Sequence, residues 1–367
     1  VPLNLRVDSG PWTDHLRSFA AARPGLVPVC KGNGYGFGLR RLAETATELL
    51  GVDLIAIGTE AELAVVAGLD CDVLVLTPDP GWPNPNGPLP QGSSEGRAGP
   101  SPERVIRTAS TVGDVERLLA VGCRFVVECR TAIERHGVEP AEYGELARLL
   151  GGQPAKRTFA GWGLHLPLAG AGTWGGSARA RIVALREAGL PVPAVFVSHL
   201  DSGEIAALAA ALPGLGLPAT AVRARIGTDL WLGRRDVLHP TATVLDVHPL
   251  PAGARAGYWQ RRVRTAGAIV VVSGGTAHGI GLTAPPPPTA RRRLASLRAA
   301  TGDSIGRARS PFVFDGHSLA FHEPPHMQVS LLWLPGVAGS GLPSRGSELG
   351  LRVRYTTTVF DSVRIAD

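Results

Sequence analysis

Eight short apolar runs, alternating with helical stretches, constrain this 367-residue chain more than any other feature. The runs are Leu26–Cys30, Leu54–Ile57, Val73–Leu76, Arg104–Arg107, Arg124–Glu128, Phe159–Leu164, Ala194–Val197 and Ala221–Arg225. Between them lie Ala- and Leu-rich segments with helical spacing: Arg40–Leu50, Glu60–Ala67, Val112–Ala120, Ala141–Leu150, Ala178–Ala188 and Gly203–Ala211. Strands apolar on both faces and joined by helical crossovers pair in parallel, and eight such units close into a (β/α)8 barrel of the TIM type. After Gly233 the pattern changes. Thr241–Val247, Ala266–Val272, Gln328–Leu334 and Leu351–Val359 alternate without long helices between them, apart from Ala290–Ala300. The expected organisation is a barrel over 1–233 followed by a β-rich C-terminal domain over 234–367. Pro78–Pro102 reads as a long surface insertion, Pro285–Pro288 as a stiff connector, and Ala169–Ser177 as a lid or linker.

Composition narrows the function. With 44% hydrophobic and 19% charged residues the chain is a folded one, and no apolar run reaches the roughly 18 residues of a membrane span. The net charge of +6 raises the question of nucleic acid. The arginines are scattered, however; Arg291, Arg292 and Arg293, with Arg298 beyond, form the one dense cluster, and interleaved aromatics are missing. No nucleic-acid or membrane partner is therefore expected. Cys30, Cys71, Cys123 and Cys129 sit in apolar strand-like contexts without metal-ligand spacing, as reduced thiols of a cytoplasmic protein would.

Of 37 basic side chains only Lys31 and Lys156 are lysines. Lys31 stands where the first strand enters a glycine-rich turn. It is either a surface residue beside that turn or an amine kept because guanidinium cannot shed its proton and form a Schiff base. The other chemical side chains also fall just after predicted strands: Tyr35 after the first, Arg135 after the fifth, His165 ending the sixth, Ser202 after the seventh, and Arg225 with Gly227 closing the eighth. C-terminal strand ends share one face of a barrel, and the loops after its last two strands often cradle phosphate. A lysine, a phosphate cradle and an imidazole together suggest pyridoxal 5'-phosphate. Read singly, His165 fits a structural histidine, Ser202 a helix cap, and Arg135 and Arg225 ordinary ion-pairing residues.

In this constellation the chain resembles the alanine racemase family, the fold-type III pyridoxal-phosphate enzymes, over roughly residues 3–360. Lys31-Gly32-Asn33-Gly34-Tyr35-Gly36-Phe37-Gly38 is close to the family's Lys-Ala-Asn-Ala-Tyr-Gly-His-Gly. The resemblance implies that Lys31 is the Schiff-base lysine and the proton base on one face, with Tyr35 on the cofactor phosphate. Ala56-Ile57-Gly58-Thr59-Glu60-Ala61-Glu62 looks like the family's second strand with its acidic helix start. The stretch Phe125 to Gly137 resembles Lys-Val-Asp-Thr-Gly-Met-Gly-Arg-Leu-Gly, which implies Arg135 near the cofactor phenolate and the incoming carboxylate. Glu128 then falls where many members carry a carbamylated lysine. Gly163-Leu164-His165 implies an imidazole against the cofactor ring, and His199-Leu200-Asp201-Ser202 implies Ser202 on the phosphate. Arg225-Ile226-Gly227 resembles Arg-Pro-Gly, implying an arginine opposite the pyridine nitrogen. Arg352-Val353-Arg354-Tyr355 implies that Tyr355 reaches the phosphate.

The resemblance breaks at the second proton site. The family's Gly-Tyr-Ala-Asp-Gly-Tyr is matched by Gly275-Thr276-Ala277-His278-Gly279-Ile280, so Thr276 replaces the tyrosine. A threonine hydroxyl is too weak an acid to substitute. Met-Asp-Gln is matched by His326-Met327-Gln328, which removes the aspartate but leaves the Met327 backbone N–H for a substrate carboxylate. Three outcomes stay open. His278 or His326 supplies the second proton; or Lys31 works alone in one-face elimination, aldol cleavage or transamination of a D-amino acid; or the cofactor is bound without turnover. The resemblance also implies a small amino-acid substrate and a head-to-tail homodimer.

Overall fold

A computed structural model describes residues 2–78, 99–168, 173–282, 309–336 and 341–366. By internal contacts the chain forms two units, one of Thr13–Gly34 and Gly38–Gly233, the other of Val1–Trp12, Tyr35–Phe37 and Arg234–Asp367. Strand β1 (Leu3–Asp8) belongs to the second.

The first unit is a parallel barrel of β2 (Val27–Pro28), β3 (Leu54–Ile57), β4 (Asp72–Pro78), β5 (Val105–Ala109), β6 (Arg124–Cys129), β7 (Phe159–His165), β8 (Val195–Ser198) and β9 (Val222–Ile226). The ladder runs β2-β9-β8-β7-β6-β5-β4-β3. A bridge between Val29 and Ala56, with the Cys30 N–H on the Ala56 carbonyl at 2.7 Å, closes the ring. Each expected strand is present. Val27, Val29, Leu74, Ile106, Val126 and Phe196 fill the interior, while the opposite faces pack under the helices. Local signals start and stop those helices. Thr111 with Asp114, and Asp201 with Glu204, form capping boxes, and Gly122 ends Val112–Val121 in the left-handed conformation.

The second unit is antiparallel. It holds β10 (Leu238–Leu250), β11 (Arg255–Ala256), β12 (Arg261–Arg262), β13 (Gly267–Ser273), β14 (Arg309–Phe314), β15 (His317–Phe321), β16 (Val329–Pro335), β17 (Glu348–Leu351) and β18 (Ser362–Ala366). The order β13-β16-β15-β14-β17-β10 returns to β13, because the long β10 pairs with β17 through Thr241–Thr243 and with β13 through Val244–Leu250. The sheet therefore has no free edge around this ring. β1 joins β10 antiparallel and β18 in parallel, which groups the first residues with this unit.

The expected strand Leu351–Val359 is a correction: pairing stops at Leu351. The N–H groups of Thr357 and Thr358 both turn back to the Arg354 carbonyl, at 2.9 and 3.1 Å, and Tyr355 is buried. Residues 79–98 of the Pro78–Pro102 insertion, the Pro285–Pro288 connector, the helix Ala290–Ala300, and Arg291–Arg293 with Arg298 lie outside the described residues. So do 169–172; beyond them the chain is already helical from Gly175. No helix among the described residues is long and apolar enough to cross a membrane.

Candidate active site

At the end of the first barrel strand the chain makes a tight turn through several positive φ values, including Tyr35 at 53°. Gly34 is required there: its φ is +59°, and a Cβ would lie 2.4 Å from the Leu39 nitrogen. Glu62, which sequence reasoning noted only as part of an acidic helix start, staples this turn to the barrel. One carboxylate oxygen accepts the Gly32 N–H at 2.8 Å and the other the Gly58 N–H at 2.6 Å. Lys31 is solvent-accessible, yet the protein around its amine lowers its pKa. Partial desolvation is the main cause. The positive charges of Arg135 and Arg225 add to it, and Glu62 opposes them. The result is an amine more readily deprotonated than an ordinary lysine.

Behind it lies a buried ion pair. Arg225, from β9, and Glu128, from β6, are bonded bidentately at 3.0 and 3.1 Å, with side chains 4% and 2% exposed. Burial alone would push the Glu128 carboxyl up. The Arg225 guanidinium overcomes this and holds it below the usual carboxylate range. Room for the carboxylate comes from Gly163 on β7, where a Cβ would sit 2.0 Å from Glu128 Oε2. Among the described residues, Arg225 Nε is a buried donor with no acceptor. An orphaned N–H of this kind in a strained electrostatic setting marks a place where a ligand acceptor belongs.

His165, at the end of β7, is the third member. Desolvation, then Arg225 and Arg135, push its pKa down to about 3, so the ring is neutral in ordinary buffers. Its Nδ1 is 2.8 Å from the Ser198 hydroxyl, and its ring lies 4.9 Å from that of His199. Arg135 is exposed, next to Glu134 in a left-handed turn, and has no ion-pair partner among the described residues. The barrel thus places Lys31, Arg135, His165 and Arg225 within electrostatic reach of one another, with Glu128 the buried counter-charge.

The remaining predicted residues have separate surroundings. Ser202 opens the helix Ser202–Ala211 but does not cap it: the cap is Asp201, whose carboxylate accepts the Glu204 N–H at 2.8 Å. The Ser202 hydroxyl instead accepts from Arg23, whose guanidinium stacks on Phe19. Gly227 precedes the short helix Thr228–Trp231 and accepts the Trp231 N–H at 2.9 Å. Tyr35 and Tyr355 are buried in the second unit, where burial pushes the Tyr355 phenol up to about 12.

The two candidate histidines differ sharply. His278 is 5% exposed and both ring nitrogens are engaged. Nδ1 accepts the Gly275 N–H at 3.2 Å and Nε2 faces Asp361 Oδ1 at 3.2 Å. His326 keeps 22% side-chain exposure, with Nε2 at 2.7 Å from Glu323 Oε1. Its carbonyl accepts the Thr276 N–H at 2.8 Å, which puts the two residues side by side. Met327 is 71% exposed, and its carbonyl accepts the Ala277 N–H at 3.0 Å. No sequence pattern announced Glu323 or Asp361.

No protein-family model matches the chain, and no curated protein matches it in sequence. Solved structures do. The alanine racemase of Bartonella henselae, with covalently bound pyridoxal phosphate, aligns at a TM-score of 0.65 with 16% identity, covering 100% of both chains. That of Bacillus anthracis, solved with bound L-Ala-P, gives 0.67 and 18%, over 98% of this chain and 90% of the other. That of D-cycloserine-producing Streptomyces lavendulae gives 0.66 and 16%, over 100% and 97%. The chain therefore has the two-part fold seen in alanine racemases, a parallel barrel with a C-terminal β-rich unit.

Proposed function

We propose that this protein is a pyridoxal-phosphate-dependent enzyme acting at the Cα of a small amino acid, in the manner of the racemases whose fold it shares. The observation that carries this reading is Lys31, an amine of lowered pKa within reach of Arg225, whose buried Nε lacks an acceptor. The donor set fits the cofactor. Lys31 would be its covalent anchor, Arg225 Nε the donor to the unprotonated ring nitrogen, and neutral His165 the neighbour of the ring. Tyr35, Ser202, Gly227 and Tyr355 would serve the phosphate. Arg135 and the Met327 N–H would hold the substrate carboxylate. When bound, pyridoxal phosphate supplies a conjugated ring that accepts the electron pair left at Cα. Lys31, once neutral, takes or returns the α-proton on its own face.

A second reading rests on Thr276, which cannot act as the opposite-face acid. It gives Lys31 chemistry on one face only, as elimination, aldol cleavage or transamination of a D-amino acid. A carrier that binds the cofactor without turnover is the limiting case. The first test is a visible spectrum after adding pyridoxal phosphate, with Lys31→Ala as control. A protein that stays colourless ends the proposal. The second is Cα deuterium incorporation from L- and D-alanine in deuterated water: none from either rejects an enzyme, and incorporation from one without inversion selects the one-face reading. We further propose the head-to-tail homodimer that the resemblance implies.

A further inference from the structure

Glu323 is only 3% exposed, and both its oxygens are used. Oε1 receives the His326 ring at 2.7 Å, and Oε2 accepts the Tyr258 N–H at 2.8 Å. Its space is made by Gly257, where a Cβ would lie 2.3 Å from Oε2. A carboxylate accepts and does not donate, so the partner nitrogen His326 Nε2 carries the proton. Nδ1 keeps its lone pair and has no partner among the described residues. The backbone is pinned on both sides, His326 N–H to the Val329 carbonyl at 2.9 Å and Thr276 N–H to the His326 carbonyl at 2.8 Å. Tyr258, whose ring centroid is 4.5 Å from that of the imidazole, covers one side. His278, by contrast, has both nitrogens engaged. At His326 one nitrogen is anchored on a buried carboxylate and the other left open, the arrangement that orients an imidazole for proton transfer.

We infer that His326 and Glu323 form an oriented acid–base pair, with His326 Nδ1 the proton-transferring atom and Glu323 its positioning residue. The inference rests on the Cα proton chemistry proposed above. Inverting a stereocentre removes a proton from one face and delivers one to the other, so Lys31 alone is insufficient. In one direction Nδ1 takes the Cα proton, giving an imidazolium balanced by Glu323, while protonated Lys31 delivers its proton to the opposite face. In the other, neutral Lys31 takes the Cα proton and the imidazolium delivers its own from Nδ1, which restores the neutral Nε2–H form. The Cα–H bond broken on one face is replaced by one formed on the other.

Two measurements test the pair. In cofactor-free protein, histidine-selective 15N NMR is expected to show His326 as the Nε2–H tautomer. Glu323→Gln, whose amide can donate, removes that preference, and Glu323→Asp retains it. An Nδ1–H tautomer in the wild type overturns the assignment. In cofactor-loaded protein, His326→Gln and Glu323→Gln should slow Cα deuterium incorporation from one enantiomer by about 100-fold or more, leaving the other within about threefold. Unchanged rates, or equal losses for both enantiomers, overturn the catalytic role. Colourless wild-type protein would instead defeat the Lys31 reading. Coloured, exchanging protein with indifferent variants defeats only the pair.

Discussion

Lys31 and Glu128 owe their properties to neighbours distant in sequence. The Lys31 amine is perturbed first by desolvation and then by two arginines, so removing one cation must favour its protonated form. Arg135→Gln is therefore expected to raise the Lys31 pKa and move its reaction with an aldehyde to higher pH, as read by mass spectrometry of borohydride-trapped protein across a pH series. Glu128 is a different case. Its value lies less in the pair's net stability than in what its loss would leave, a buried guanidinium without counter-charge. Glu128→Gln should cost about 3–5 kcal/mol in urea unfolding, the usual penalty for breaking a buried pair from one side. An unchanged midpoint would mean that water reaches Arg225. Both arginines were legible as strand-end residues. The pairing of Arg225 was not, because Glu128 and Arg225 are 97 positions apart and meet only through barrel closure.

Elements with local signals were readable, and those stabilised from afar were not. The helix Ser202–Ala211 follows an Asp201–Glu204 capping box that is complete within four residues. Asp201→Ala should lower stability by about 1 kcal/mol in thermal or urea unfolding, whereas Ser202→Ala should leave the helix start intact. Equal losses from the two would reassign the cap. The segment after Leu351 misled for the opposite reason. Leu351, Val353 and Tyr355 alternate as a strand does, but pairing with β14 ends after the Arg352 N–H bonds the Pro311 carbonyl, and the Arg354 carbonyl then closes a turn. The turn at Thr276–His278 is likewise fixed by Asp361, a residue 83 positions away.

For the whole molecule, the head-to-tail dimer proposed above predicts that two different inactive subunits complement each other. Lys31→Ala and His326→Gln subunits, each unable to invert alanine alone, are expected to regain inversion when co-refolded, because some mixed dimers hold one intact combination. Activity no greater than the sum of the parents would reject shared sites, and sedimentation equilibrium reports the assembly directly. What was legible in the chain from the start was its barrel, because parallel strands buried on both faces must be written as continuous apolar runs regardless of context. The lysine, too, stood out by composition. Folding alone decided that Arg225 Nε would be a buried donor without an acceptor in the barrel, and that His326 would be anchored on Glu323 through one ring nitrogen in the β unit. Hydrogen-bond satisfaction depends on partners brought together through space, and no spacing along a chain encodes it.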